Sequence, residues 1–296
     1  MITTGYICAV LSAICYGLNP LGALFLYDYG LTTATVLFYR FLFASAVLAL
    51  ILKLGKISFG VTKKELLSLA ALGLMFTSSG YTLFASFNYI AAGTASTILF
   101  IYPIFVALIM AIFFKERIYP SMVVAFFLAL AGIFMLYRGE DGMHLNGVGL
   151  TFVLVSALSY ALYIVFLNKF QLAMSSKKVA FYVTAFCCVF VFLISVFSQS
   201  QIQPIPHWKA WIWIGELSLI TAILAMVLLS VAVRFIGSTP TSILGALEPL
   251  TAVLVGILIF GEKFTFNHGV GIVLIVGGVL LVVIVGGKKK NENIGH

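Results

Sequence analysis

Long apolar runs follow one another from end to end of this 296-residue chain, separated by little more than turns. A run of roughly 20 apolar residues crosses the ~30 Å hydrocarbon core of a bilayer as one helix. Lipid offers no partner to backbone N–H and C=O groups, so a spanning segment satisfies them internally, as a helix or in a closed barrel. The runs here are about twice the length of a barrel strand. The expectation is therefore an all-α integral membrane protein. Hydrophobic residues make up 62% of the chain and charged residues 9%. That leaves too little polar surface to coat a soluble domain of any size.

Ten transmembrane helices are predicted, at residues 4–27, 32–54, 65–89, 92–114, 119–138, 147–169, 178–198, 209–234, 238–261 and 265–287. The formal net charge of +8 does not signal a nucleic-acid partner, because the basic residues sit singly or in pairs at the ends of apolar runs. They act as topology signals instead. With the N-terminus in the cytoplasm, thirteen Lys and Arg fall on the inner side and only Arg138, Lys209 and Lys263 on the outer side. The positive-inside rule then puts both termini in the cytoplasm, in a cell (inner) membrane. Met1–Thr4 carries no Lys or Arg, so no cleavable signal peptide is expected. Cys8, Cys15, Cys187 and Cys188 all lie in apolar runs and read as small buried hydrophobes.

The chain also repeats itself. A shift of 146 residues lays 88–136 onto 234–282 and matches Ser96 with Ser242, Pro103 with Pro249, Glu116 with Glu262 and Gly132 with Gly278. A shift of 144 lays Leu11–Tyr16 onto Val155–Tyr160. The units are 1–143 and 144–290, with 291–296 a polar cytoplasmic tail. Five spans per unit is an odd number, so the second copy enters the membrane from the opposite side. Two inverted five-helix repeats are a transporter signature, with the substrate at mid-membrane where the halves meet.

The motifs Ile101-Tyr102-Pro103 with Phe113-Phe114-Lys115-Glu116, and Leu247-Glu248-Pro249 with Phe260-Gly261-Glu262, carry a family likeness. Gly132 and Gly277-Gly278 in spans 5 and 10 add to it. The chain resembles the drug/metabolite transporter superfamily, specifically its ten-helix EamA-type members, over its whole length. The resemblance implies gates built from spans 1, 2, 6 and 7. Members of the superfamily export amino acids, take up vitamins or choline-like cations, exchange nucleotide sugars or expel toxic cations. The first repeat departs from the second in having Tyr102 where Glu248 stands.

Charges inside the membrane are costly and point to function. Glu248 lies about 15 Å from either face of span 9 at about 1.5 Å per residue. It is positioned to bind a cationic group, accept a proton or pair with an internal Arg. Pro103 and Pro249 each remove a backbone donor, freeing the carbonyls of Leu99 and Gly245, and bend their helices toward a cavity. Arg40 in span 2 and Glu216 in span 8 lie at similar depths, about 12 and 10 Å from the outer face. That permits either a structural pair, or a carboxylate site at Arg40 matching an amine site at Glu248. Tyr81 and Tyr102 are placed to stack on a ring or face a cation, and Asn19 beside Pro20 is a hydrogen-bonding candidate. Tyr16 and Tyr160 fall at mirrored depths on opposite sides of the midplane, where two gates would sit. Glu116 and Glu262, beside Arg117 and Lys263, read as exposed interfacial ion pairs.

The four histidines are scattered, and neither a phosphate loop nor a nucleophile elbow appears, so no cofactor, metal or enzyme is expected. The partners expected are a small-molecule substrate, the lipid bilayer and, for driving force, protons or an exchanged substrate, in a monomer or homodimer. The favoured function is a secondary transporter exporting amino acids or related zwitterionic or cationic metabolites. The alternatives are uptake of a cationic metabolite or efflux of toxic cations by the same fold, and, in another class, a membrane-embedded enzyme or passive pore.

Overall fold

A computed structural model describes residues 2–115, 146–170, 172–237, 247–262 and 264–292, with isolated positions between 120 and 135 and at 241, 244 and 245. Among the described residues all regular structure is helical. The helices are α1 (Ile2–Gly17), α2 (Asn19–Asp28), α3 (Thr33–Leu54), α4 (Lys63–Ser86), α5 (Ala92–Leu99) and α6 (Tyr102–Phe114) in the first half. The second half has α7 (Gly147–Lys169), α8 (Ser176–Phe197), α9 (Ala210–Gly215), a π-helical segment (Glu216–Leu224), α10 (Ala225–Ile236), α11 (Leu247–Phe260) and α12 (Phe266–Glu292).

Among the described residues seven stretches are long and apolar enough to cross a membrane, and Leu247–Phe260 and Gly269–Gly278 are shorter apolar helices. The ten-helix count is not confirmed, because the fifth expected span at 119–138 lies almost wholly outside the described residues. Three of the expected continuous spans are also interrupted. Span 1 breaks between α1 and α2, span 4 between α5 and α6, and span 8 winds through the nine-residue π segment.

Local chemistry explains the helix starts. Thr32 caps α3 by accepting from the Thr35 amide, and Ser175 caps α8 by accepting from the Lys178 amide. Asn146 caps α7 from Oδ1 at 2.8 Å. Thr62 and Glu65 form a complete capping box on α4. Such caps satisfy amides that the first helical turn leaves without partners.

The principal packing joins the two halves. In the first half's terms, α4 lies on α7 and α8, α3 on α8, and α6 on α7; in the second half's, α10 and α11 both lie on α1, and α11 on α5. Exchanging the halves maps the α4–α7 pair onto the α10–α1 pair. Two hydrogen bonds follow the same exchange. Ser156 Oγ donates to the Ser79 carbonyl at 2.8 Å, and Ser12 Oγ donates to the Ala225 carbonyl at 2.8 Å. Serines in a close contact are what helix pairs use in lipid, where burial of apolar surface gives no net drive. Glycine does the same at Gly73, where a Cβ would stand 2.5 Å from Phe186 Cβ. Gly132 and α12 meet as closely, a Cβ there falling 2.8 Å from the Gly271 carbonyl. Cys8, Cys15 and Cys187 are buried free thiols, and Cys188 is half-buried.

Candidate substrate-binding site

Spans 1 and 4 restart on a buried polar residue followed by proline, and α11 opens in a similar way: α2 begins Asn19-Pro20, α6 begins Tyr102-Pro103 and α11 begins Leu247-Glu248-Pro249. Proline lacks the N–H that a continuing helix would use, and is accepted in a first turn that has no use for it. The sequence therefore writes a break, and the break leaves a side chain at mid-depth. Asn19, Tyr102 and Glu248 are 5%, 3% and 6% exposed. An acidic side chain in the first turn of α11 also complements the positive end of the helix dipole. The Gly245 carbonyl is not left free as expected: it accepts from the Glu248 amide at 2.9 Å in a tight turn.

Aromatic rings close around Glu248. Tyr102 and Tyr160 lie edge to face with centroids 4.8 Å apart, and Tyr16 meets Tyr160 at 6.2 Å. Phe76 stands 6.5 Å from both Tyr16 and Tyr160, and 4.9 Å from Tyr163. Glu248 is within electrostatic reach of Tyr16, Tyr102 and Tyr160, and among the described residues no cation pairs with it. Tyr16 and Tyr160, related by the repeat, are thus direct neighbours in the bundle. Tyr81 is not part of the cluster. It lies half-buried within electrostatic reach of Tyr27, whose hydroxyl is tied to Thr33 Oγ1 at 3.0 Å and to the Phe84 carbonyl at 2.9 Å. Phe76 and Tyr163 were not singled out in the sequence. The signal for Tyr163 was its place one turn after Tyr160; Phe76 had none, because one Phe among 27 carries no mark.

Arg40 and Glu216 face one region but do not form the expected pair. Arg40 is 2% exposed, with its guanidinium 5.4 and 5.1 Å from the Phe41 and Phe84 rings. Its Nη2 donates to the Thr221 carbonyl at 3.1 Å, within the π segment, and its Nε has no partner. Both carboxyl oxygens of Glu216 are buried without a hydrogen-bond partner, and so is Asn19 Oδ1. Gly22, one turn after Asn19 on α2, makes room for Glu216: a Cβ there would stand 2.2 Å from Oε2. Buried polar atoms without partners are uncommon, and in π segments they cluster at functional sites.

Glu262 is not an exposed ion pair. Its Oε1 accepts from the Ala92 amide at 3.0 Å and its Oε2 from the Gly93 amide at 3.3 Å. It thus caps α5, whose own flanking residue Ala91 has no side-chain cap to give. Gly256 and Gly93 are small because the carboxylate occupies the space their Cβ atoms would take, 2.3 and 2.8 Å from Oε2. Burial pushes the Glu262 carboxyl up, and the two amide hydrogen bonds offset part of that rise. Its repeat partner Glu116, like Arg117 and Lys263, lies outside the described residues. Glu262→Ala is expected to destabilise the protein by about 2–3 kcal/mol, since two half-buried amides lose their acceptor. Thermal unfolding of the purified protein should show the fall, and Gly256→Ala should shift the midpoint in the same direction.

Broken helices that present polar groups at mid-depth are how transporters show a solute protein instead of lipid. The fold and the site together define a multi-pass membrane protein of that class. The chain belongs to the EamA-like transporter family, whose pattern it matches twice, over residues 3–138 and 147–284. This places it in the drug/metabolite transporter superfamily. An uncharacterized transporter of Archaeoglobus fulgidus is 26% identical over 271 residues, covering 91% of this chain and 93% of that protein. Another from the same organism is 35% identical over 129 residues, but the chain spans only 44% of its length. The uncharacterized transporter YetK of Bacillus subtilis is 24% identical over 252 residues, covering 81% of this chain and 75% of that one. A solved crystal structure at 15% identity superposes with a TM-score of 0.70, covering 97% of this chain and 98% of its own, and shares the fold.

Proposed function

We propose that the protein is a secondary transporter that exports a small zwitterionic or cationic metabolite of the amino-acid class by alternating access. The observation that carries this reading is Glu248, in the first turn of α11, within electrostatic reach of Tyr16, Tyr102 and Tyr160 and with no cationic partner among the described residues. A carboxylate among ring faces is the recognised chemistry for an ammonium group. Arg40, with a free Nε, supplies the matching site for a carboxylate.

Two inverted five-helix units, 1–143 and 144–290, are the frame for the exchange between faces, supported by the packing that maps onto itself when the halves are swapped. Tyr16 and Tyr160 act as the barrier layer that reorganises during the exchange. An access route from one face is offered by a recess of about 410 Å³ lined by Asn168, Ser176, Ser230 and Arg234, among others. Its lining reaches Ser230, which faces Tyr163 of the ring cluster. Basic residues around it mark that side as cytoplasmic. Driving force comes from protons or from an exchanged substrate.

Saturable counterflow of labelled amino acids in liposomes carrying the purified protein is the test. Strictly linear, unsaturable flux would identify a pore, and conversion of the solute to a new compound an enzyme. A thermal-shift screen locates the solute: a ligand at 100 times its dissociation constant adds about 2.7 kcal/mol to stability. The same ring cluster also favours a second reading, a substrate that is a plain organic cation, taken up or expelled; choline-like probes in the screen separate the two.

Topology is tested by single cysteines in a background lacking the native four. Ser58→Cys and Ser175→Cys should resist impermeant thiol reagents in intact cells, while Asp141→Cys should react. Labelling of Ser58→Cys from outside would reverse the orientation.

A further inference from the structure

The polar groups of the site do not balance. Two carboxyl side chains, Glu216 and Glu248, share the interior with one guanidinium, Arg40, and neither oxygen of Glu216 is tied to it. Arg40 is in electrostatic reach of Glu216 on one side and of Tyr16 on the other. Tyr16 in turn reaches Glu248. The order across the interior is thus Glu216 and Arg40 together at one end, then Tyr16, then Glu248 within the ring cluster at the other. Both acidic residues border the broken first span: Gly17 lies against the Glu248 carbonyl, where a Cβ would be 2.7 Å away, and Gly22 lies against the Glu216 carboxyl, where a Cβ would be 2.2 Å from Oε2.

Charges taken from water are costly unless paired, and a ligand with one anionic and two cationic groups would give each of these three side chains a partner. We propose that Arg40, Glu216 and Glu248 select a dibasic α-amino acid. The α-carboxylate goes to Arg40, whose Nε is free and whose Nη2 is anchored on the π segment. The α-ammonium goes to the unpartnered oxygens of Glu216. The side-chain cation goes to Glu248 and the faces of Tyr16, Tyr102 and Tyr160. The π segment has a place in this: its wide turn offers the Thr221 carbonyl to Arg40 and holds the guanidinium between Phe41 and Phe84. This inference rests on the zwitterion reading above and narrows it.

The experiment is counterflow in liposomes with the full-length protein and three probes: L-lysine, L-leucine, which lacks the side-chain cation, and cadaverine, which lacks the carboxylate. L-lysine should half-saturate transport at a concentration at least about tenfold below either of the others, the worth of ~1.4 kcal/mol. Glu216→Gln should raise the half-saturation for all three probes, since each keeps the ammonium assigned to Glu216, and unchanged half-saturation for L-lysine would overturn that assignment. Arg40→Gln should bring L-lysine to the level of cadaverine. Because Arg40 is packed between rings, each variant is first checked for a single symmetric peak in gel filtration; if Arg40→Gln fails that check, Glu216→Gln and the wild-type ranking decide alone. L-lysine binding no better than L-leucine, with L-leucine still carried, overturns the dibasic assignment and leaves the zwitterion reading standing. Transport of none of the three overturns both.

Discussion

Glu248→Gln should abolish counterflow of zwitterionic and cationic solutes while the protein still folds. Glutamine keeps the shape of the side chain and much of its hydrogen-bonding capacity, and removes the charge. No cation among the described residues pairs with Glu248, so the substitution strands none of them in the apolar interior. The fold therefore loses little. A bound ammonium, by contrast, loses its counter-charge in a desolvated chamber. Removing one member of such a pair costs about 2–5 kcal/mol, or roughly 30- to 4,000-fold in affinity at 1.4 kcal/mol per decade. Any dependence of transport on pH that arises from this carboxyl should flatten at the same time. Counterflow across a pH series, with thermal unfolding in parallel, reads both effects. Glu65→Gln is the control, since Glu65 serves only an exposed capping box on α4 and glutamine can fill that role. Normal transport by Glu248→Gln at every pH would make the carboxyl structural and remove the main support for the substrate class.

What the sequence made legible followed from local chemistry. Apolar runs gave the spans, because bilayer thickness fixes their length. The dipeptides Asn19-Pro20, Tyr102-Pro103 and Glu248-Pro249 marked the places where helices start afresh and carry a polar side chain into the interior, because proline acts on its immediate neighbours. What the sequence did not disclose was set by contacts between distant segments. Glu262 looked like an interfacial charge beside Lys263, and only the approach of α11 to α5 brings it to the Ala92 and Gly93 amides. Arg40 and Glu216 agree in depth, but depth along two helices says nothing of rotation about them. The π segment that aims the Thr221 carbonyl at Arg40 adds a residue to a turn without changing the apolar pattern, so no periodicity betrays it. Tyr16 and Tyr160 were paired by the repeat, but their ring contact depends on how the two halves pack, which the repeat alone does not state.

Gly17→Ala should impair transport at least as severely as it impairs stability, although it adds a single methyl group. Gly17 ends α1 beside the break, where that helix crosses α11. A Cβ there would stand 2.5 Å from Thr251 Cβ and 2.7 Å from the Glu248 carbonyl oxygen. Neither obstacle is the tip of a flexible side chain, so α1 and α11 must separate. Overpacking of this kind costs about 1–3 kcal/mol, and a larger β-branched residue such as Val should cost more. The displacement falls at the level of Glu248 and next to Tyr16, so the ring cluster and the carboxyl move apart, with at least about a tenfold loss of affinity for the transported solute if one charge-assisted contact is lost. Gly5→Ala on the same helix separates packing from site geometry. Its Cβ would meet Ile236 Cγ2 at 2.8 Å, at the far end of α1 from the break. That variant should lower the unfolding midpoint and leave half-saturation unchanged. Gly147→Ala, with nothing within 4 Å of the added methyl, should alter neither. Normal half-saturation in Gly17→Ala would show that α1 can shift against α11 without disturbing Glu248, and the close crossing at Gly17 would then be packing alone.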